Sequence, residues 1–311
     1  MSTDSARPGL NRTIWTYWDS GFDAAPEVVQ VCLESWRERN PGWAVVALSD
    51  ENLTEYVDDE TLATLRSLNN ITIQKFSNLL RFYLMARHGG VWVDATCYCA
   101  KPLDSWILGK MRSGFFAFRL VGDNWLRNPK NRWFGWFRRG DLSRIVASWF
   151  LAAEQGNPLC TRFFAAHLAL FRDNSFARQG TRRGRQIIRA VRPLLERNSA
   201  LARIWAHPIM SRVAQVYPYF IVHYHFARVV SVDPVCKRIW SATPVFRAFK
   251  ITVIGKLVLS PLTEDLRRYI DTTTAPMHKL SWKRPSGGLA EGRVLDYLAS
   301  TLRNSSTAER S

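Results

Sequence analysis

A carboxylate, a guanidinium and a double glycine stand together between Gln74 and Leu103, in the stretch QKFSNLLRFYLMARHGGVWVDATCYCAKPL. Asp94 offers hard oxygens of the kind a divalent cation takes. Arg81, thirteen positions earlier, offers a planar fork of N–H donors. Positioning them takes two elements. Phe76, Leu79, Leu80, Tyr83 and Arg87 fall at the spacing of one helical face, and Gln74, Ser77, Asn78 and Arg81 form a polar stripe on the same helix. Gly89 and Gly90 stop it, since glycine accepts a left-handed cap without steric cost. Val91, Trp92 and Val93 then read as a short buried strand ending at Asp94, with Ala95 and Thr96 behind. In open α/β sheets, ligands bind beyond the carboxyl ends of strands. Taken alone, Asp94 reads as a turn or N-cap residue before it reads as a catalyst, and Arg81 also reads as a solvated helix residue.

The run S-N-L-L-R-x(7)-G-G-V-W-V-D-A-T resembles the signature of sugar-nucleotide glycosyltransferases of the capsular-polysaccharide-synthesis type. These are similar to glycosyltransferase family 32 and other α-glycosyltransferases with a DxD motif. The resemblance implies a GT-A fold and a retaining hexosyltransferase that moves a sugar from a UDP- or GDP-activated donor to a glycan or lipid-linked glycan, in capsular or cell-surface polysaccharide synthesis. It implies catalytic roles for Asp94 and Arg81, and a donor site of Trp15, Ser77, Asn78, Arg81, Asp94, Lys279 and Trp282. Trp15, in the opening I-W-x-x-W, matches a tryptophan near the base, although a core aromatic reads equally well. The late segment from Thr274 to Lys283 resembles the family's P-x-x-K-L-x-W-K motif, expected as a flexible loop that closes over the diphosphate. The implied cofactor is Mn²⁺ or Mg²⁺, held by Asp94 and Thr96 with His278 or Ser281.

Two positions depart from the family pattern. Asn78 stands where an aspartate is usual, and Thr96 replaces the second acid of D-x-D, a poorer metal ligand. These departures motivate a rival reading, a degenerate, non-catalytic transferase that binds acidic polymer or membrane through its basic face, although the resemblance extends to the D-A-T form itself.

At 311 residues the chain is long enough for one large domain, and 47% hydrophobic content excludes a disordered protein. The net charge of +17 attracts polyanions such as an acidic glycan or anionic headgroups. No nucleic-acid-binding spacing accompanies it. No apolar run approaches a membrane span, and the start lacks a signal-peptide layout. The expected location is the cytoplasm, with peripheral contact at the inner membrane face. Five irregularly spaced cysteines fit a reducing compartment, with Cys97 and Cys99 as small buried side chains.

In chain order, strands are expected at Thr13–Trp18 and Trp43–Leu48, around a helix opened by Pro26, with Asp50 capping a further helix. This alternation predicts an α/β, Rossmann-like, mixed and mostly parallel sheet flanked by helices. A loose N-terminus (1–10) precedes a single domain, 11–301. Within it lie a nucleotide-sugar core (11–125), an α-rich basic acceptor region (126–250) and a closing loop and helix (251–301), with a frayed tail at 302–311. Phe115–Phe118 reads as a strand and Ile145–Ala153 as a helix. Residues 119–144 mix arginine with tryptophan, suiting a membrane interface or a loop over the acceptor. The segment 172–203 reads as a cationic amphipathic helix interrupted by Pro193, and Tyr217–His225 as a β-run with His223 and His225 on one face.

Overall fold

A computed structural model describes residues 9–69, 71–119, 146–195, 199–246, 248–283 and 292–308. Of the Arg/Trp-rich stretch expected at 119–144, residues 120–144 lie outside them. The described strands include a five-stranded sheet of order β2-β1-β3-β6-β5 and a two-stranded sheet of β4 and β7. These strands are β1 (Thr13–Tyr17), β2 (Ala44–Leu48), β3 (Gly90–Val93), β4 (Cys97–Cys99), β5 (Phe115–Arg119), β6 (Val146–Ala153) and β7 (Met277–Lys279). β1 and β2 run parallel and β5 and β6 antiparallel, so the sheet is mixed, and with its flanking helices the architecture is α/β. The chain divides into two compact units, with the boundary inside β3.

The first unit comprises Arg12–Asn52, Trp92–Gly109 and Ala248–Ser311. Thr13 pairs with Ala44 and Tyr17 with Leu48, and α1 (Glu27–Arg39) connects the two strands. Pro26 at its N-cap supplies a φ already suited to the turn. Val28, Val31 and Cys32 of α1 pack with Tyr98, Ile254, Val258, Leu295 and Leu298 in one apolar cluster. Trp36 donates its indole N–H to the Cys97 carbonyl at 2.7 Å, and the Ser35 hydroxyl accepts from the Cys99 amide at 2.8 Å. The hydrophobic face of α1 therefore fixes β4 sideways while its polar residues fix it lengthwise. The closing helix, α9 (Val294–Ala308), extends into the expected tail, because Leu302 is buried in that cluster.

The second unit comprises Met1–Asn11, Leu53–Val91 and Lys110–Arg247. Asp50 opens no α-helix; a single 3-10 turn, Leu53–Glu55, follows it, and Asp58 caps α2 (Asp59–Ser67) through the Thr61 amide. α3 (Ile73–Arg87) carries the expected pattern and ends where Gly89 takes φ +67°. A Cβ on Gly89 would lie 2.5 Å from the Gln155 nitrogen, so backbone approach as well as φ requires glycine here.

Val146–Ala153, expected as a helix, is the wholly buried strand β6. An apolar run of eight residues carries no periodicity that separates a core strand from a helix. Next come α4 (Pro158–Arg172), with Asn157 at its N-cap, and α5 (Arg182–Leu195). Pro193 does not interrupt α5 but lies inside it, and the helix ends two residues later. The expected β-run at 217–225 instead enters α6 (Ile221–Val232), followed by α7 (Pro234–Ala242) under an Asp233 cap. On a helix, residues two apart point to nearly opposite sides, so His223 and His225 do not share a face. In the first unit, α8 (Glu264–Thr272) precedes β7.

Candidate active site

The turn after β3 is held from three directions within the first unit. The Cys97 amide donates to the Asp94 carbonyl at 2.8 Å, closing the turn. Ala95 is buried against Phe22, Ala25, Val29 and Leu33. The Leu280 amide donates to the Thr96 carbonyl at 2.8 Å, continuing the β4–β7 pairing in which Cys97 lies opposite Lys279. The expected closing loop is therefore a strand at its centre, Met277–Lys279.

That register delivers Lys279 to the acid. Its ammonium donates to Asp94 Oδ2 at 3.2 Å and to the Thr96 hydroxyl at 2.5 Å, while Trp92 Nε1 donates to Asp94 Oδ1 at 3.1 Å. About a quarter of each side chain of the ion pair stays accessible: 24% for Lys279 and 26% for Asp94. Gly255 lies under the same strand, where a Cβ would come within 2.5 Å of the Lys279 carbonyl. Three residues on, Trp282 is 46% exposed and meets Trp18 edge-to-face with centroids 5.9 Å apart. Trp18 follows β1, so this unit gathers a carboxylate, an ammonium, a hydroxyl and exposed indole surface. Trp15, by contrast, is buried in β1.

His278 does not join them. Strand alternation turns it to the opposite face from Lys279, opposite Tyr98, on which its ring stacks at 6.4 Å. It is 1% exposed, and burial pushes its imidazole down to about 4. The expected place in a metal shell is thereby corrected. Ser281 lies just past the end of β7.

The donor set was expected to hold Mn²⁺ or Mg²⁺, and it does not fit that ion. Hard divalent cations take six or more oxygens. Here one carboxylate and one hydroxyl already bind an ammonium, and no group of three His, Cys, Asp or Glu side chains is gathered for a metal among the described residues. A doubly charged ion roughly 4 Å from that ammonium would be repelled by about 8 kcal/mol at an effective dielectric of about 20. Asp94 alone would offset that repulsion, but one carboxylate and one hydroxyl fall well short of the oxygens such an ion takes.

Ser77, Asn78 and Arg81 belong to the second unit. The Arg81 guanidinium donates from Nε to the Ser77 carbonyl at 3.1 Å, from Nη2 to the Ser77 hydroxyl at 3.0 Å, and from Nη1 to the Ser148 carbonyl. At 5% exposure it fastens α3 to β6. Asn78 is buried as well, at 6%. The fork that reads as a ligand clamp in the sequence thus bonds protein carbonyls.

The sequence reading assigned Lys279 to phosphate and did not pair it with Asp94. Their separation of 185 positions hides a contact that only strand register creates. Trp18 was legible only as part of the I-W-x-x-W opening.

The family model for capsular polysaccharide synthesis proteins matches residues 2–175, more than half the chain. The chain is 24% identical over 165 residues to the O-glycosyltransferase braB of Annulohypoxylon truncatum, covering 49% of this chain and 36% of that protein. It is 29% identical over 104 residues to the glycosyltransferase afumC of Aspergillus fumigatus, covering 30% and 27%. To the putative glycosyltransferase HOC1 of Saccharomyces cerevisiae it is 28% identical over 100 residues, covering 30% and 24%. The chain thus spans between about a quarter and about a third of the length of these curated relatives. Among solved structures, the PaToxG glycosyltransferase aligns over 84% of both chains at 10% identity with a TM-score of 0.34, too low to carry an argument. By the extent of the family match, this chain belongs to the capsular polysaccharide synthesis protein family.

Proposed function

We propose that the protein is a glycosyltransferase that moves a sugar from a UDP- or GDP-activated donor to a glycan or lipid-linked glycan in capsular or cell-surface polysaccharide synthesis. The observation that carries this reading is the Asp94–Lys279–Thr96 cluster after β3, with the exposed Trp282 three residues beyond Lys279 in the chain. The proposal rests on residues of the first unit alone.

Glycosyl transfer breaks the bond between the anomeric carbon and the β-phosphate oxygen and forms one to the acceptor oxygen. The acceptor's proton leaves with the nucleoside diphosphate. Charge accumulates on the departing phosphate, so a fixed cation beside it lowers the barrier. Asp94 orients that cation and offers an acceptor to sugar hydroxyls. The exposed Trp282 offers an apolar face to the donor. Transfer with retention follows if the acceptor attacks from the leaving-group side, where the departing phosphate takes its proton.

A panel of UDP- and GDP-sugars, assayed for nucleotide release by the wild type and by Asp94→Asn, tests this reading. At least one donor should turn over, and Asp94→Asn should slow it by about a hundredfold or more. Equal rates in the two proteins would remove Asp94 from the reaction.

A second reading has its own support in the second unit. Arg182, Arg183, Arg185 and Arg189 are exposed on α5, and Leu194, Ile209 and Val213 are 53%, 52% and 66% exposed nearby in sequence. Exposed arginine with exposed aliphatic surface suits anionic headgroups. No helix among the described residues is long and apolar enough to cross a membrane. Sedimentation with phosphatidylserine vesicles should therefore be salt-sensitive and weaken when these arginines become glutamine. Indifference to both salt and substitution would discard this reading.

A further inference from the structure

The Asp94 site holds a cation of its own. We infer that Lys279 supplies the positive charge that neutralises the donor's diphosphate, so that this chain binds a nucleoside diphosphate without a divalent metal. The inference rests on the nucleotide-sugar reading of the site and deepens it.

Three observations converge. The first is contact: the ammonium touches both side chains, Asp94 and Thr96, that the motif would otherwise offer to a metal, at 3.2 and 2.5 Å. The second is fixation. Lys279 ends β7, Cys97 is its register partner, the next amide bonds the Thr96 carbonyl, and Gly255 admits the Lys279 carbonyl at a distance no other residue allows. A flexible lysine placed this way loses its freedom on folding, and little more is lost when a ligand arrives. The third is substitution. A second carboxylate at position 96 would have favoured a doubly charged ion, whereas a neutral hydroxyl beside one carboxylate balances a single positive charge. Asp94 minus one and Lys279 plus one offset each other in this pair, and the Lys279 side chain is 24% accessible. A nucleoside diphosphate arriving there meets a charge-assisted donor already in place.

The test is calorimetry with UDP and with GDP on the full chain, in EDTA and in Mn²⁺, for the wild type, Lys279→Met and Lys279→Arg. In EDTA the wild type should bind one of the two nucleotides, and Mn²⁺ should change its Kd by less than about twofold. Lys279→Met should weaken binding in EDTA by about tenfold or more, the range of a lost charge-assisted bond. Mn²⁺ should then restore much of it, because Asp94 and Thr96 are released to a metal. Lys279→Arg, which keeps the charge, should stay within a few fold of the wild type in EDTA.

A wild type that binds only in Mn²⁺ would overturn the inference and leave the nucleotide-sugar reading standing. So would a Lys279→Met protein that matches the wild type in EDTA. Failure of both nucleotides to bind under either condition would overturn the reading itself, and the inference with it. If circular dichroism shows Lys279→Met unfolded, the wild-type EDTA arm and Lys279→Arg still decide.

Discussion

Two buried histidines in the second unit make its stability depend on pH in a calculable way. His167 on α4 and His225 on α6 meet Nδ1 to Nδ1 at 2.9 Å, inside a shell of Phe163, Phe171 and Phe226. Only one proton fits between those two nitrogens. Burial, then His225, Lys75 and His223 nearby, hold His167 far below its ordinary value; burial and then Arg228 push His225 down to about 4. An unfolded histidine binds its proton near pH 6.5. Between pH 6.5 and 4 the unfolded chain therefore carries more protons than the folded one, and stability falls as pH falls. The contribution is complete above about pH 6.5. For His225 alone, a displacement of about 2.5 pH units corresponds to roughly 3 kcal/mol lost on reaching pH 4. Domains hold only about 5–15 kcal/mol in total. Thermal melts by circular dichroism between pH 7 and 4.5, at fixed ionic strength, should show Tm dropping by several degrees. His278, pushed down to about 4 in the first unit, adds a slope of the same sign. The His167→Phe, His225→Leu double variant, which extends the surrounding aromatic packing, should therefore have a clearly flatter profile than the parent rather than a level one. Parallel profiles in the two proteins would refute the assignment of acid sensitivity to this pair.

Gly89→Ala should cost at least about 2 kcal/mol in urea unfolding, from the left-handed φ and the close Gln155 nitrogen together. Gly156→Ala, with φ +72° and open space around it, should cost only the conformational part, about 1 kcal/mol. Arg81→Met should lower stability by about 2–3 kcal/mol, because the Ser148 carbonyl loses a charged donor in a buried position. A Tm within a degree of the wild type would show that the guanidinium does not fasten α3 to β6.

How much of this was legible in the sequence follows from periodicity and range. α1, α3 and the strands β1, β2, β3 and β5 came from patterns with one clear period or a sharp stop, such as Gly89 and Gly90 after Arg87. β6 and α6 did not. VASWFLAA and IVHYHFARVV are buried on nearly every side, so neither shows an exposed face with a clear period and the choice between strand and helix fell to tertiary packing. The site divided the same way. Asp94 was visible because its strand, turn and preceding helix are contiguous. Lys279 was visible as a cation but not as the partner of Asp94, since the β4–β7 register is set by contacts far apart in sequence. His278 was misplaced for a related reason: once 277–279 is a strand, neighbours in sequence must face opposite sides.

The claim at the centre of the account is that a nucleoside diphosphate sits against the turn after β3 and the end of β7. Backbone hydrogen exchange read by mass spectrometry, with and without saturating UDP or GDP, locates that contact directly. The account predicts slowed exchange concentrated in 92–100 and 277–283, diminished in Lys279→Met at nucleotide concentrations near the wild-type Kd. Protection confined to other segments, or undiminished in that variant, would contradict it.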